Sequence, residues 1–221
     1  MTHETIAPDR TEGQEQPPPI VYLVVDDHPS FLCRLSRLLR SGDYRVETFG
    51  STEEFLKYDR SEATGCVVLE LKMPRSRGLE LQEALAQAEQ PLPVVFVTAH
   101  SDVSSAVRAM KQGAVDFLTK PVRRDVLLEA VRRALAQGGA ERQTREWRAR
   151  YERLTPRERE VLALVVDGLA NKQIAKMVGT TERTIKAHRG QLMHKMGVQS
   201  PAELGRSVEY LGEFFQKPTH A

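Results

Sequence analysis

The sequence predicts two domains: a doubly wound α/β domain with a five-stranded parallel sheet over residues 20–138, and a small all-α domain over residues 153–216. Three observations lead to this prediction. Five short apolar runs alternate with amphipathic stretches of helical length after Ile20. Beyond Arg153 there is no strand pattern, and three or four helices are expected instead. The charged residues 139–152 separate the two patterns and form either a solvated linker or an extension of the preceding helix.

The α/β domain is predicted from its apolar runs, which are IVYLVVDD, YRVETF, GCVVLEL, PVVFVTA and AVDFLTK. Continuous Val, Ile and Leu without polar alternation favours strands that are buried on both faces, as in a parallel sheet with helical crossovers. Helices are expected from Pro29, after Ser51, from Gly78, from Asp102 and from Val122 to about Gln137.

The all-α domain begins with a helix whose start is marked by Thr155 and Glu158, a capping-box pattern, and by Pro156 in the first turn. Gly168 ends this helix. Further helices are expected from Asn171 to Val178, from Glu182 to Met196 and from Pro201 to about Phe215. Within the helix from Glu182 to Met196, Ile185, Leu192 and Met196 are spaced to face the core.

The composition is that of a soluble globular protein, with 40% hydrophobic and 28% charged residues in 221. Since no apolar run approaches the length of a bilayer, we expect a cytoplasmic protein with no membrane partner. Residues 1–19 are polar and end in three prolines, which is typical of a disordered leader, and residues 217–221 form a short tail. Cys33 and Cys66 show no metal-site spacing and are predicted to be core residues in a reducing compartment.

The net charge of +2 is unevenly distributed along the chain. Residues 153–221 carry 11 Lys and Arg against seven Asp and Glu, an excess of +4. Such an excess is compatible with nucleic-acid binding, but it is also common on an ordinary solvated surface. Charge alone therefore does not decide the function.

Polar residues stand at the ends of four predicted strands. These residues are Asp26, Asp27, Glu70, Thr98 and Lys120. Since ligands of open parallel sheets bind at the carboxyl ends of the strands, we expect these side chains to converge. Clustered carboxylates suit Mg²⁺, and the hydroxyl and ammonium groups could hold phosphoryl oxygens. Taken singly, each residue could also be a helix cap or a solvated charge.

The stretches VVDD, VVLELKMP, VFVTAH and AVDFLTKP resemble the receiver domains of two-component response regulators over residues 20–138. The resemblance implies a flavodoxin-like sheet of strand order 2-1-3-4-5 and a sensor histidine kinase as a candidate partner. It places Asp26, Asp27 and the backbone carbonyl of Lys72 at an Mg²⁺ site that also includes the position of Glu70. It further places the switch residues at Thr98, Phe117 and Lys120. Gly78 falls at the turn before the third helix, and Pro121 at a peptide bond that is usually cis.

Glu70 departs from the pattern, because it stands where the family has the aspartate that accepts the phosphoryl group. Glutamate keeps the charge but moves the carboxylate about 1.5 Å farther from the backbone, which is enough to spoil an in-line attack. The longer side chain could instead reach Thr98 and Lys120 and imitate part of the charge of a phosphoaspartate. We therefore hypothesise a phosphorylation-independent receiver in an active-like state. Two alternatives stay open: an inert pair with Lys120 under control by expression level or a partner, and phosphorylation of Glu70 itself. The change also leaves open whether Mg²⁺ binds.

The second domain resembles the LuxR-type helix-turn-helix of NarL and FixJ regulators through LTPREREVLALVVDGLANKQIAKMVGTTERTIKAHRGQLMHKMGV, and the receiver stretch TAHSDVSSAVRAMKQGAVDFLTKP is similar to the FixJ branch. A helix that enters the major groove needs a close turn and long polar side chains on one face. Candidate DNA contacts are Thr181, Arg183, Thr184, Lys186, His188 and Arg189. Lys186 and Arg189 are the foremost of them, whereas a lone histidine such as His188 is more often a structural partner.

The resemblance implies a transcription regulator that binds double-stranded promoter or operator DNA as a homodimer, with RNA polymerase as a further candidate partner. In the family, the face corresponding to residues 102–120 forms the dimer contact or masks the DNA-binding domain. A basic helix can also be no more than a solvated face, and the alternative function is a signalling adaptor whose helices bind protein. An enzyme is not expected, because the sequence has no P-loop, nucleophile–base pair or metal-hydrolase spacing.

Overall fold

The computed structural model describes residues 19–24, 29–60, 65–73, 76–99 and 102–215. Contacts divide the chain into two compact units, of which the first ends at Leu135 and the second begins at Ala136.

The first unit is built on a five-stranded parallel sheet. Its strands are β1 (Ile20–Val24), β2 (Arg45–Phe49), β3 (Gly65–Leu69), β6 (Val94–Thr98) and β7 (Asp116–Thr119). They are arranged in the order β2-β1-β3-β6-β7. A separate antiparallel hairpin, β4 (Lys72–Met73) with β5 (Ser76–Arg77), was not predicted. Without the hairpin, the order is the predicted 2-1-3-4-5, and the predicted fold class is confirmed.

The helices of the first unit are α1 (Pro29–Arg40), α2 (Thr52–Lys57), α3 (Gly78–Ala86), α4 (Val103–Lys111) and the first part of α5 (Arg124–Glu152). Alternate residues of β1 enter two separate apolar cores, Val21 and Leu23 on one face of the sheet and Ile20 and Tyr22 on the other. All residues of β3 and β6 are buried. Burial on both faces explains the continuous apolar runs of the sequence.

The prediction that both cysteines are core residues is wrong for one of them. Cys66 is buried in β3, whereas Cys33 is exposed on α1. The buried side of α1 is formed by Leu35, Ser36 and Leu39. At about 100° per residue, Cys33 falls outside this stripe, so its side chain faces solvent.

Helix α5 has 29 residues and contributes to the cores of both units. The core of the first unit includes Leu127, Val131 and Ala134. The core of the second unit includes Tyr151, and Trp147 is partly buried against that core. The helix therefore continues well past its expected end near Gln137. Of the two alternatives for residues 139–152, the structure has the helix.

The second unit consists of the end of α5, α6 (Pro156–Val166), α7 (Asn171–Met177), α8 (Glu182–Met196) and α9 (Pro201–Leu211), followed by a 3₁₀ turn at Gly212–Phe214. As predicted, Ile185, Leu192 and Met196 are fully buried. Gly168 adopts a φ of +82° two residues after the end of α6, which explains the stop signal at that glycine. Within the described ranges, no helix of either unit combines the length and apolarity needed to cross a bilayer.

Candidate functional site

The carboxyl ends of three neighbouring strands bring predicted site residues to one edge of the sheet. Glu70 follows β3, Thr98 ends β6 and Lys120 follows β7. The parallel registers pair Leu69 with Phe96, and Thr98 with Thr119. The backbone N–H of Lys120 donates to the carbonyl of Thr98 over 2.8 Å, so a direct hydrogen bond joins the ends of β6 and β7.

Glu70 is almost fully buried, and both of its carboxylate oxygens have protein partners. The residue is 5% exposed. Its Oε2 lies 2.5 Å from Nζ of Lys120, and its Oε1 accepts a 2.9 Å hydrogen bond from the backbone N–H of Leu71. The ammonium group also lies over the ring of Phe31, 3.6 Å from the ring centroid. Sequence reasoning did not find Phe31, because nothing in a partly buried aromatic residue of α1 indicates a contact with the end of β7.

The other two predicted switch residues lie on the neighbouring strands β6 and β7. Thr98 is fully buried. Phe117 is half-buried, and its ring centroid lies 6.0 Å from that of Phe96. The Lys120–Pro121 peptide bond is cis, in agreement with what the resemblance implied.

Gly78 allows α3 to begin directly against the site. A Cβ atom at this position would lie 2.6 Å from the carbonyl oxygen of Glu70 and 3.1 Å from the ring of Phe96. The Gly78 N–H donates to the carbonyl of Leu71 over 3.1 Å. The close approach of two backbone segments therefore requires a residue without a side chain.

The structure describes only some of the four predicted Mg²⁺ ligands. Asp26 and Asp27 lie outside the described residues, and Lys72 is described through its backbone, which pairs with Arg77. The described residues include no cluster of three or more His, Cys, Asp or Glu that could hold a metal ion. The metal site therefore stays a prediction.

The second unit presents the N-terminal half of α8 to solvent. Thr181 caps the helix by accepting a 3.2 Å hydrogen bond from the Thr184 N–H, and the two hydroxyls lie 2.9 Å apart. Arg183, Thr184 and Lys186 are exposed. These predicted contact residues are therefore accessible to a ligand.

Two other predicted contacts, His188 and Arg189, are only partly exposed. A guanidinium nitrogen of Arg189 donates to the side-chain oxygen of Asn171, at the start of α7, over 2.9 Å. Farther along α8, Gln191 and His194 are exposed, and together with Gly190 and Lys195 they line a shallow depression. Neither Gln191 nor His194 is among the predicted DNA contacts, which end at Arg189.

A buried glutamate fixes α8 against the start of α6. Glu158, 2% exposed, accepts hydrogen bonds from the Thr155 N–H at 2.8 Å and from Nζ of Lys195 at 2.7 Å. Burial alone would raise the pKa of the Glu158 carboxyl, but the hydrogen bonds from Lys195 and Thr155 outweigh this effect and hold the pKa below its usual value. The ionised carboxylate thus forms part of the helix packing.

The chain matches two protein families. Residues 22–132 match the response regulator receiver domain, and residues 152–208 match the bacterial regulatory proteins of the luxR family. The response regulator protein TmoT of Ectopseudomonas mendocina is 40% identical over 195 residues, which cover 86% of this chain and 89% of TmoT. The transcriptional regulatory protein FixJ of Bradyrhizobium diazoefficiens is 37% identical over 187 residues, which cover 83% of this chain and 91% of FixJ. A low-resolution structure of the response regulator StyR superimposes with a TM-score of 0.64 at 43% identity, and the match covers 86% of this chain and 98% of that one.

Proposed function

We propose that the chain regulates transcription and that Glu70, rather than a phosphorylated aspartate, determines the state of its receiver. The chain belongs to the response regulators that join a receiver domain to a LuxR-type DNA-binding domain. Receiver and LuxR-type domains are regulatory modules and not enzymes. The observation that carries the proposal is the buried ion pair in which Oε2 of Glu70 lies 2.5 Å from Nζ of Lys120.

The surroundings of Glu70 do not favour nucleophilic attack on a phosphodonor. Its Oε2 is engaged by Lys120, and its Oε1 is engaged by the backbone N–H of Leu71. An attacking carboxylate oxygen must approach phosphorus in line, and the additional methylene of glutamate moves it by about 1.5 Å from where an aspartate oxygen would lie. We therefore expect phosphoryl transfer to Glu70 to be negligible.

We assign this ion pair to an active-like receiver; since an inert pair would make the same contact, the DNA affinity of variants without the charge distinguishes the two states. The carboxylate reaches Lys120, whose ammonium group the strand-end pattern predicts to hold a phosphoryl oxygen. It brings about one negative charge to that position, against nearly two for a phosphoryl group. Its low exposure reduces screening by water and salt, so the charge acts at close range. Glu70 thus supplies part of the negative charge that phosphorylation supplies in an ordinary receiver.

Receiver domains generally bind Mg²⁺ at their phosphorylation site. We propose Asp26, Asp27 and the backbone carbonyl of Lys72 as its ligands in this chain. A cation that also binds Glu70 must compete with the ammonium of Lys120 for Oε2. Mg²⁺ titration by calorimetry, with the parent and Glu70→Asp side by side, tests this: weaker binding by the parent supports the competition, and equal binding contradicts it.

On the DNA side, we propose that α8 enters the major groove. Exposed side chains in its first turns support contact with bases or phosphates. The proposed contact residues are Thr181, Arg183, Thr184, Lys186, His188 and Arg189. A mobility shift with promoter DNA that weakens on Lys186→Ala supports this assignment, and an unchanged shift contradicts it.

We also propose that the regulator acts as a homodimer through its α4 face. Val103, Val107 and Met110 are 79%, 47% and 46% exposed, an apolar set on one short helix that a second copy would cover. Sedimentation of the parent and of Val107→Asp tests this. The parent should sediment as a dimer and the variant as a monomer; equal sedimentation of the two proteins would exclude this face.

Phosphoryl incorporation tests the central part of the proposal. The parent and Glu70→Asp are incubated with a small-molecule phosphodonor and Mg²⁺, their intact masses are measured, and their DNA affinities are compared at one stated salt concentration. We expect no mass increase and no change in affinity for the parent, and one phosphoryl group with a gain in affinity for the aspartate variant. Phosphorylation of the parent that raises its DNA affinity would overturn the proposal.

A further inference from the structure

We propose that Gln191 reads a base edge when α8 binds DNA, whereas Arg189 sets affinity without selecting a sequence. This inference rests on the proposed DNA contact of α8 and assigns a residue that determines which operator is recognised. It separates two residues that are only two positions apart in the chain but lie on different sides of the helix.

The rotational position of each side chain on α8 follows from its buried face. Ile185, Leu192 and Met196 are fully buried and define the inner face of the helix. At about 100° per residue, the opposite face is centred on Arg183, Ala187, Gly190 and His194. All four are exposed. Lys186 and Gln191, also exposed, border this outer face on its two sides.

Two small residues lie midway along the outer face, between its two long side chains. A Cβ added at Gly190 would meet no atom within 4 Å, and a shallow depression opens between Gly190, Gln191, His194 and Lys195. Since Ala187 and Gly190 are small, this part of the helix axis can lie close to the floor of the major groove. The longer side chains on the two borders then reach base edges on either side of the axis.

The side chains of Arg189 and Lys195 form hydrogen bonds within the second unit. The Arg189 guanidinium is partly buried and donates to Asn171, which places it beside the start of α7. The Lys195 ammonium donates to the buried carboxylate of Glu158. A side chain that is held in this way can fix the α7–α8 geometry and approach a phosphate, but it is not directed at the groove floor. Arg189 is therefore a positioning residue.

Gln191 has the chemistry that sequence discrimination requires. Its amide carries a donor and an acceptor, a pair that matches N7 and N6–H of adenine, whereas an ammonium group reads acceptors alone. The ligand that Gln191 recognises is therefore an A·T base pair in the major groove. Lys186, on the other border, suits guanine acceptors or phosphate.

Selection of binding sites from a randomised DNA library tests this assignment with the full-length protein. The compared proteins are the parent, Gln191→Ala, Arg189→Ala and the control Gln199→Ala, which removes an exposed glutamine located after α8. We expect the parent to prefer an A·T pair at one position by about tenfold, and Gln191→Ala to lose that preference while its affinity for unselected DNA stays within about twofold. Arg189→Ala should bind all sequences about tenfold more weakly with unchanged preferences, and Gln199→Ala should match the parent.

The outcomes separate this inference from the proposed function. If Gln191→Ala selects the same bases with the same preference as the parent, Gln191 is not a base-reading residue and the inference is wrong, even though DNA binding stands. If Arg189→Ala alters the selected bases, the division between the two residues is wrong. A parent protein that selects no sequence would overturn the proposed function and this inference together. Fluorescence of Trp147, which packs on the core of the second unit, confirms that each variant is folded.

Discussion

The buried Glu158 offers a quantitative test of how the DNA-binding unit is held together. The Glu158→Ala substitution removes two interactions at once. The first is the reciprocal half of the capping box, in which the carboxylate accepts from the Thr155 N–H at 2.8 Å. The second is the ion pair with Lys195, whose Nζ lies 2.7 Å from the same carboxylate oxygen. Both interactions connect the start of α6 with its surroundings, so their loss should lower the free energy of unfolding of this unit.

The expected magnitude follows from the geometry. Loss of a helix-capping hydrogen bond costs about 1 kcal/mol. A charge-assisted hydrogen bond contributes about 1.5–3 kcal/mol when buried, and we take about 1–1.5 kcal/mol because Lys195 is 34% exposed. The total is about 2–2.5 kcal/mol, which for a domain of this size corresponds to a fall in Tm of about 8–20 °C. Glu158→Gln keeps an acceptor for the Thr155 N–H and should lose only about half of this amount.

Intrinsic fluorescence isolates the relevant unit, because the chain has a single tryptophan. Trp147 packs against the core of the second unit, so its emission reports the unfolding of that unit in a denaturant titration. The matched control is Glu209→Ala, an exposed glutamate on α9, for which we expect a change within about 0.5 kcal/mol. A Glu158→Ala variant as stable as this control would show that the contacts of Glu158 do not stabilise this unit.

Three further predictions concern pH, backbone packing and thiol reactivity. The folded-state pKa of Glu158 lies below its usual value of 4.5, so its contribution to the free energy of unfolding is present above that value and is lost as the pH falls through the folded pKa. Glu158→Gln should therefore reduce the loss of stability at acid pH, followed by Trp147 fluorescence. Gly78→Ala places a Cβ 2.6 Å from the Glu70 carbonyl and should destabilise the receiver by about 2 kcal/mol in circular-dichroism melts; an unchanged melt contradicts the close approach. Maleimide should modify the exposed Cys33 and spare Cys66, since burial raises the pKa of the Cys66 thiol to about 12, and a doubly labelled native protein would contradict this.

The fold could be predicted from the sequence because its determinants are local patterns. Continuous apolar runs such as that of β3 identify strands buried on both faces, and Thr155 with Glu158 fixes the start of α6. The extent of α5 could not be predicted, because Gly138 and Gly139 usually weaken a helix and the packing of Trp147 in the second unit is a tertiary contact. The exposure of Cys33 was missed because an apolar neighbourhood in sequence does not specify the rotational position on a helix.

The convergence of three strand-end residues was predictable from the sequence, but their contacts were not. Strand ends indicated that Glu70, Thr98 and Lys120 share one edge of the sheet, and the structure brings all three there. The contact of Lys120 with Phe31 and that of Arg189 with Asn171 depend on packing between distant elements. No spacing in the sequence encodes such contacts, and a basic residue on a recognition helix looks the same in sequence whether it faces DNA or a neighbouring helix.

We propose that the negative charge of Glu70 keeps the receiver in the state that favours DNA binding. The most direct measurement is the DNA affinity of the untreated protein beside Glu70→Gln and Glu70→Ala, at one stated salt concentration. Glu70→Gln preserves the length of the side chain and removes its charge, so the account predicts a weakening of about tenfold for both variants, equivalent to about 1.4 kcal/mol. Equal affinity of the parent and both variants would show that the Glu70–Lys120 pair is inert and that the receiver is not set by this charge.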